Sequence, residues 1–460
     1  MKTRALFAAA LSTSAALLFT GCNRTYVPQI AVQSLSDKAL CEAIVNAGGC
    51  PVQLDPAKCS ASSSWTSKDL GIPDACVLGA EFPDSVCLDH IRACNVPVMG
   101  ENPNLHGIDS ILHHRPNYAA DIPQLVQEAA LYHRARVFMD THLCLDSHCD
   151  LPYRYKFGQS LGKRNLSQVN IQKMSEGGQD VECLAICRTN MKVEEDGYAK
   201  ATDWIFGRID KIEADVEAHK DYCAIARTAA EAREIVAGGK KAYFMAIENA
   251  FFLGDDISKV GLMAERGILY ITLCHTYDNA VCGTSAPHKD GSPSTGLTEY
   301  GRSVVKEMND KGVVIDLSHA SEQTFYDVMQ CSSKPVVCTH SACRDLYDHN
   351  RNVTDAQLRA IAANGGVVQV LCLGSFMRKD KANCSVDDMV QHIIHAVDIA
   401  GIDHVGIGSD FDGGGGASDF YGSNDMINVT LALMRKGFSD NDLAKLWGGN
   451  FLRVLEANGR

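Results

Sequence analysis

Eight short apolar runs recur between residues 137 and 410, with helical spacing in most of the intervals between them. They are VFMDTHLCL (137–145), VECLAI (181–186), AYFMAIE (242–248), ILYITLCH (268–275), GVVIDLSH (312–319), PVVCTH (335–340), GVVQVLCL (366–373) and HVGIGSD (404–410). Runs of this length read as strands buried on both faces, and strands that alternate with helices read as parallel sheet covered by helices. The clearest helices are ATDWIFGRIDKIEADVEAHK, GRSVVKEMNDKG, SEQTFYDVMQCS (with Ser321 as its N-cap), DAQLRAIAANGG and VDDMVQHIIHAVDIAG, and a last helical pair covers 423–458. A (β/α)8 barrel and a doubly wound open sheet both accommodate the pattern. Seven of the eight runs end at or near a polar residue: His148 and Asp150, Glu248, His275, His319, His340, Asp410 and, more weakly, Arg188. A barrel brings all its strand ends to one mouth, whereas an open sheet spreads them along an edge, so the expected fold is the (β/α)8 barrel.

An ionisable group at the end of a buried strand is costly without a partner. Its repetition on several strands argues for one shared site. His148, Asp150, Glu248, His319 and His340 provide three imidazoles and two carboxylates, which suit a divalent transition metal such as zinc. His148 and Asp150 share one strand face because side chains two apart point the same way, and Cys149 between them points away. Glu248 has two oxygens and can bridge two metals. Alone, each residue has a plainer explanation: a chance HxD, a salt-bridged Glu or a hydrogen-bonded strand-end His. Asp410 can move a proton from metal-bound water to a leaving amine, or serve as a ligand or helix cap. Asp412 competes with it but lies in the Gly-rich turn. His275 is either a further ligand or a group that polarises a substrate carbonyl. Arg351, in HNRNVT, is either a two-pronged partner for a substrate carboxylate or a surface arginine.

The composition is globular, 46% hydrophobic and 22% charged, and the net charge of -13 argues against a nucleic-acid partner, which normally requires a basic face. At the start, Lys2 and Arg4 precede an Ala- and Leu-rich stretch ending Phe19-Thr20-Gly21-Cys22, the layout of a secretory signal. The small residues before Cys22 resemble a bacterial lipobox, which implies cleavage before Cys22 and acylation there. An ordinary signal peptide or an uncleaved anchor is the alternative, although the run is short for a transmembrane helix. Of nineteen cysteines, Cys41, Cys50, Cys59, Cys76, Cys87 and Cys94 crowd a loop-rich stretch. In an exported chain they read as a disulfide framework, and no CxxC pair marks a metal module there. Cys144, Cys149, Cys274, Cys338 and Cys372 fall on predicted strands as small buried groups. The expected division is therefore a leader (1–21), a Cys-rich extension (22–118) and the barrel (119–460).

Several segments together resemble the membrane dipeptidase (renal dipeptidase) family of zinc peptidases, over about residues 120–456. They are DSHCDLP (146–152), EGGQ (176–179), AIENA (246–250), ITLCHTYDNA (271–280), GLTEYGRSVVKEMNDKGVVIDLSHAS (296–321), THSACRDLYDHNRNVTD (339–355), VGIGSDFDG (405–413) and GGNFLRVLE (448–456). The resemblance implies a TIM-type barrel of the metal-dependent hydrolase kind with two Zn2+ bridged by a glutamate and by hydroxide. It implies that His148, Asp150 and Glu248 hold one zinc and that Glu248, His319 and His340 hold the other. His275 would take the substrate carbonyl, Arg351 the terminal carboxylate, and Asp410 the proton transfer at the substrate. The expected activity is hydrolysis of dipeptides by the bridging hydroxide. The expected setting is the bacterial cell envelope, lipid-anchored and facing periplasm or exterior, with a homodimer implied by the family. A related metal amidohydrolase acting on N-acyl amino acids or lactams is the alternative, and a non-catalytic binding lipoprotein is a third. Two departures stand out. The Cys-rich stretch has no counterpart in the family pattern, and VLCLGSFMRKD lacks the paired tyrosines of mammalian members.

Overall fold

The computed structural model describes residues 131–460 except 133, 163–164, 194–195 and 293, together with the backbone of three short strands, Gln29–Val32, Cys50–Gln53 and Ala75–Val77. The expected leader, Cys22 and the six-cysteine cluster lie outside the residues whose side chains are described. The described chain divides into two units. One contains the three short strands, in which Gln29–Val32 pairs in parallel with both others, plus residues up to 141 and 427–437. The other contains 142–426 and 438–460.

In this second unit eight parallel strands pair in chain order, and a ninth short strand, Cys223–Ile225, pairs in parallel with Lys241–Glu248 outside that path. They are β1 (Leu145–Cys149), β2 (Val181–Cys187), β3 (Lys241–Glu248), β4 (Ile268–Thr272), β5 (Val314–Asp316), β6 (Val337–Ser341), β7 (Val367–Val370) and β8 (Val405–Ile407). The chain beyond β8 returns to β1. Asp410 N–H donates to His148 O at 3.2 Å, and Asp150 N–H donates to Phe411 O at 2.8 Å. These bonds close the sheet, and the fold is the expected (β/α)8 barrel. In-register pairing sets Cys187, Glu248, Thr272, Asp316 and Val337 side by side across β2 to β6. A core cluster joins Leu145, Val181, Phe244, Leu269, Val314, Val337 and Val367 to Phe451, Val454 and Leu455 of the last helix, Asn450–Ala457. Helix Glu322–Cys331 begins as expected, with Ser321 Oγ accepting from Thr324 N–H at 3.0 Å.

Two expectations need correction. Residues 134–141 are helical, so VFMDTH is not strand and β1 is LDSHC. Arg136 and Asp140 pair at 2.7 Å across four residues, the spacing that brings side chains together on one helix face. Strands β4, β5 and β8 also stop short, leaving His275, His319 and Asp410 each three residues beyond the strand. The φ of 70° at His319 and 61° at Asp410 turns the chain out of the extended region.

Helix Val386–Ala400 supports the loop that follows β6. His392 Nδ1 accepts from Cys343 N–H at 3.0 Å. Burial holds this imidazole down at about 4. The unfolded side chain takes a proton near pH 6.5, whereas the folded one resists it until about 4. The contribution is thus complete above pH 6.5 and is lost as pH falls toward 4, amounting to about 3 kcal/mol. Urea unfolding of the metal-free protein at pH 7 and pH 4.5 should show that loss, and His392→Asn should flatten it.

Candidate metal centre

The five donors meet at the barrel mouth. β1 carries His148, with Asp150 one residue past its end, β3 ends at Glu248, β6 carries His340, and the turn after β5 carries His319. Glu248 Oε1 lies 2.9 Å from His319 Nε2, 3.4 Å from His340 Nε2 and 3.9 Å from His148 Nε2. His148 Nε2 is 3.6 Å from Asp150 Oδ2, and the Nε2 atoms of His319 and His340 are 3.0 Å apart. Oxygen and ring-nitrogen acceptors this close repel one another unless a cation or proton lies among them.

Hydrogen bonds behind the donors select the tautomers. Tyr270 O–H donates to Ser147 O at 2.9 Å, so its oxygen accepts from His148 Nδ1–H, also at 2.9 Å. Thr339 Oγ1–H donates to Asp316 Oδ2 at 2.7 Å and accepts from His340 Nδ1–H at 2.9 Å. Asp316 is itself held by Thr272 Oγ1–H at 2.6 Å and by the N–H groups of Ser318 and Thr339. With the ring proton on Nδ1, His340 presents a bare Nε2 to the centre, and His148 does so when a cation replaces its second proton, as in metal-binding imidazoles. His148 Nε2 and Asp150 Oδ1 are buried and have no hydrogen-bond partner, an arrangement that a bound cation would satisfy. Burial and the nearby His148 charge hold His340 down at about 3, so it stays neutral. Burial also lowers His148, but the Asp150 and Glu248 carboxylates outweigh it and bring His148 up to about 10, so a proton is held there where a cation would otherwise be. The donor set fits a divalent metal. Replacing Tyr270 with Phe removes the nearer acceptor for His148 Nδ1–H, leaving Thr339 Oγ1 at 3.3 Å, and should weaken metal binding by about tenfold, measured by chelator competition, with the unfolding midpoint little changed.

Three other expected residues share this mouth. His275 Nε2 is 3.9 Å from Glu248 Oε1, and its Nδ1 is 2.8 Å from Thr276 Oγ1. Asp410 offers a carboxylate oxygen within 4.8 Å of donors from His148 and Asp150. A Cβ on Gly413 would stand 2.1 Å from Asp150 Oδ2 and 2.4 Å from Asp410 Oδ1, so only glycine lets that turn pass the two carboxylates. Arg351 Nη2–H donates to His340 O at 3.4 Å, and its guanidinium lies 5.6 Å from the Phe376 ring centre.

The remaining candidates point elsewhere. Asp412 accepts from Gln168 N–H at 3.1 Å and pairs with Arg154 at 3.4 Å. Cys149 Sγ accepts from Leu151 N–H at 3.3 Å, in keeping with a packing role. Arg188 lies 4.9 Å over Trp204, on helix Gly197–Ala218. Sequence reasoning missed Tyr270, Thr339 and Asp316, and it missed Cys187. β2 runs one residue longer than expected and ends on that cysteine.

Residues 132–459 match the membrane dipeptidase family (Peptidase family M19). The chain belongs to that family. Dipeptidase tcpJ of Claviceps purpurea is 32% identical over 253 residues, 54% of this chain and 59% of that protein. An uncharacterized dipeptidase of Schizosaccharomyces pombe is 35% identical over 221 residues, 47% of this chain and 53% of that one. The chain thus spans between half and three fifths of the length of these curated relatives. Two solved structures are similar throughout their length. The probable dipeptidase PvdM of Pseudomonas aeruginosa matches with a TM-score of 0.68 and 26% identity over 71% of this chain and 98% of its own. A metallo peptidase of Rhodobacter sphaeroides, liganded with a phosphinate mimic of the dipeptide L-Ala-D-Ala, matches with a TM-score of 0.64 and 26% identity over 69% of this chain and 100% of its own. Among the described residues of this membrane dipeptidase family member, no helix is long and apolar enough to cross a membrane.

Proposed function

We propose that this protein is a zinc-dependent dipeptidase. The observation that carries this reading is the sharing of Glu248. Its Oε1 lies 3.9 Å from His148 Nε2, which is itself 3.6 Å from Asp150 Oδ2, and 2.9 and 3.4 Å from the Nε2 atoms of His319 and His340. His148, Asp150 and Glu248 would hold one Zn2+, and Glu248, His319 and His340 a second. When bound, such a pair lowers the pKa of water toward neutrality and polarises a carbonyl.

The chain's own residues orient the substrate and move protons. If Thr276 O–H donates to His275 Nδ1, then His275 Nε2–H is free to donate to the oxyanion that develops on the scissile carbonyl. Burial pushes the Asp410 carboxyl well above the usual carboxylate range; His148 opposes this, while Asp150 and Glu248 add to it. A carboxyl that takes protons this readily suits a shuttle that delivers one to the departing amine. Arg351 would hold the substrate's free carboxylate. The lipobox-like sequence before Cys22 supports a lipid anchor and a place at the cell envelope, and the family relation supports a homodimer.

The test is hydrolysis of a panel of L,L- and L,D-dipeptides by purified protein, before chelation, after it, and after zinc return. Chelator-sensitive cleavage restored by zinc is expected, and no cleavage of any dipeptide would overturn the reading. Arg351→Ala should cut kcat/KM on free dipeptides by about ten- to a hundredfold, the value of a charge-assisted hydrogen bond, and leave dipeptide amides unaffected. An Arg351→Ala enzyme with full activity on free dipeptides would favour the N-acyl or lactam substrate instead.

A further inference from the structure

Cys187 has no part in the mechanism above, yet it stands at the mouth. It ends β2, and strand register sets it opposite Glu248, so both side chains leave the sheet on the same face. Its sulfur, a Glu248 oxygen and a ring nitrogen of His275 all lie within 4.8 Å of one another. His275 meets Thr276 through Nδ1 and leaves Nε2 toward Glu248. Cys187 is half-buried and the His275 side chain is 22% exposed. Among the other described cysteines only Cys331 is not fully buried, and it closes helix Glu322–Cys331.

We infer that Cys187, Glu248 and His275 form a separate binding site for a thiophilic divalent cation, such as cadmium or excess zinc, that competes with the two-metal centre for Glu248. One sulfur, one nitrogen and one oxygen donor, with water as a fourth, make a tetrahedral set suited to soft and borderline ions. On binding, the Cys187 S–H bond breaks, its proton passes to solvent and the sulfur lone pair bonds the cation, while the His275 proton sits on Nδ1, donated to Thr276 Oγ1, and leaves the Nε2 lone pair for the cation. Because Glu248 cannot serve three ions, occupation of this site displaces the arrangement needed for hydrolysis. The competition rests on the proposed role of Glu248 in the two-metal centre, whereas the three-donor set rests on the placement of these residues alone.

The test uses full-length, metal-stripped protein titrated with Cd2+. Thiolate-to-cadmium charge-transfer absorption is expected, and Cys187→Ser should lose one thiolate's share of it while Cys331→Ser keeps all of it. Equal absorption in the wild type and Cys187→Ser would overturn the proposal. A second measurement needs no variant: iodoacetamide labelling of Cys187 in the unaltered protein, followed by peptide mass spectrometry. Cd2+ at ten times its dissociation constant should slow the labelling by about tenfold, whereas Mg2+ should not. Labelling unaffected by Cd2+ would equally overturn it. Both readouts are independent of any peptide being cleaved, so a failure of the dipeptidase reading leaves them interpretable.

Discussion

Glu248→Gln should lower kcat/KM for dipeptides by about a thousandfold, or about 4 kcal/mol of lost transition-state stabilisation. The substitution keeps the shape of the side chain and removes its charge. Glu248 Oε1 lies within 3.9 Å of His148, His319, His340 and His275, so in the proposed centre no other residue stands ready to take its place. Zinc content should fall from about two per chain to one or fewer, read by elemental analysis. The fold should survive, because the side chain lies at the mouth and not in the apolar cluster around Phe244 and Val314. A glutamine variant that keeps its zinc and its rate would remove the shared carboxylate from the mechanism.

Asp410→Asn should produce the second large loss, about a hundred- to ten-thousandfold in kcat, by removing a proton carrier. Here zinc content should stay at the wild-type level and KM should move little. That combination separates a proton shuttle from a ligand, since a ligand's removal would lower kcat and metal content together. Asp410 is also the best residue for the comparison because its neighbour Asp412 is engaged by Gln168 and Arg154 and cannot substitute for it.

The barrel and the five donors were legible because their signals are local. β2, β3 and β6 lie within a residue or two of the apolar runs that announce them. His148, Asp150, Glu248, His319 and His340 stand out as ionisable groups beside apolar sequence, and the structure brings all five together. What escaped depends on tertiary context. Tyr270 and Thr339 sit inside apolar runs and read as core, and only the folded barrel shows them fixing imidazole tautomers. Arg188 drew attention as a charged residue at a strand end, but one more strand residue places Cys187 at the mouth and sends Arg188 to Trp204. The left-handed turns at His319 and Asp410 likewise went unread, because Asp and His tolerate that conformation better than other non-glycine residues yet adopt it only where the tertiary fold demands it.

Those turns set the terms on which heat tolerance can be gained. A non-glycine residue held at positive φ costs about 1–2 kcal/mol, and His319 and Asp410 each carry that cost. Glycine at either position would relieve it, yet the imidazole or the carboxyl would go with the strain. Selection for a sturdier protein and selection for a working one therefore pull these two codons in opposite directions. Thermostable variants of this chain should carry their substitutions on the outer helices, with His319 and Asp410 unchanged.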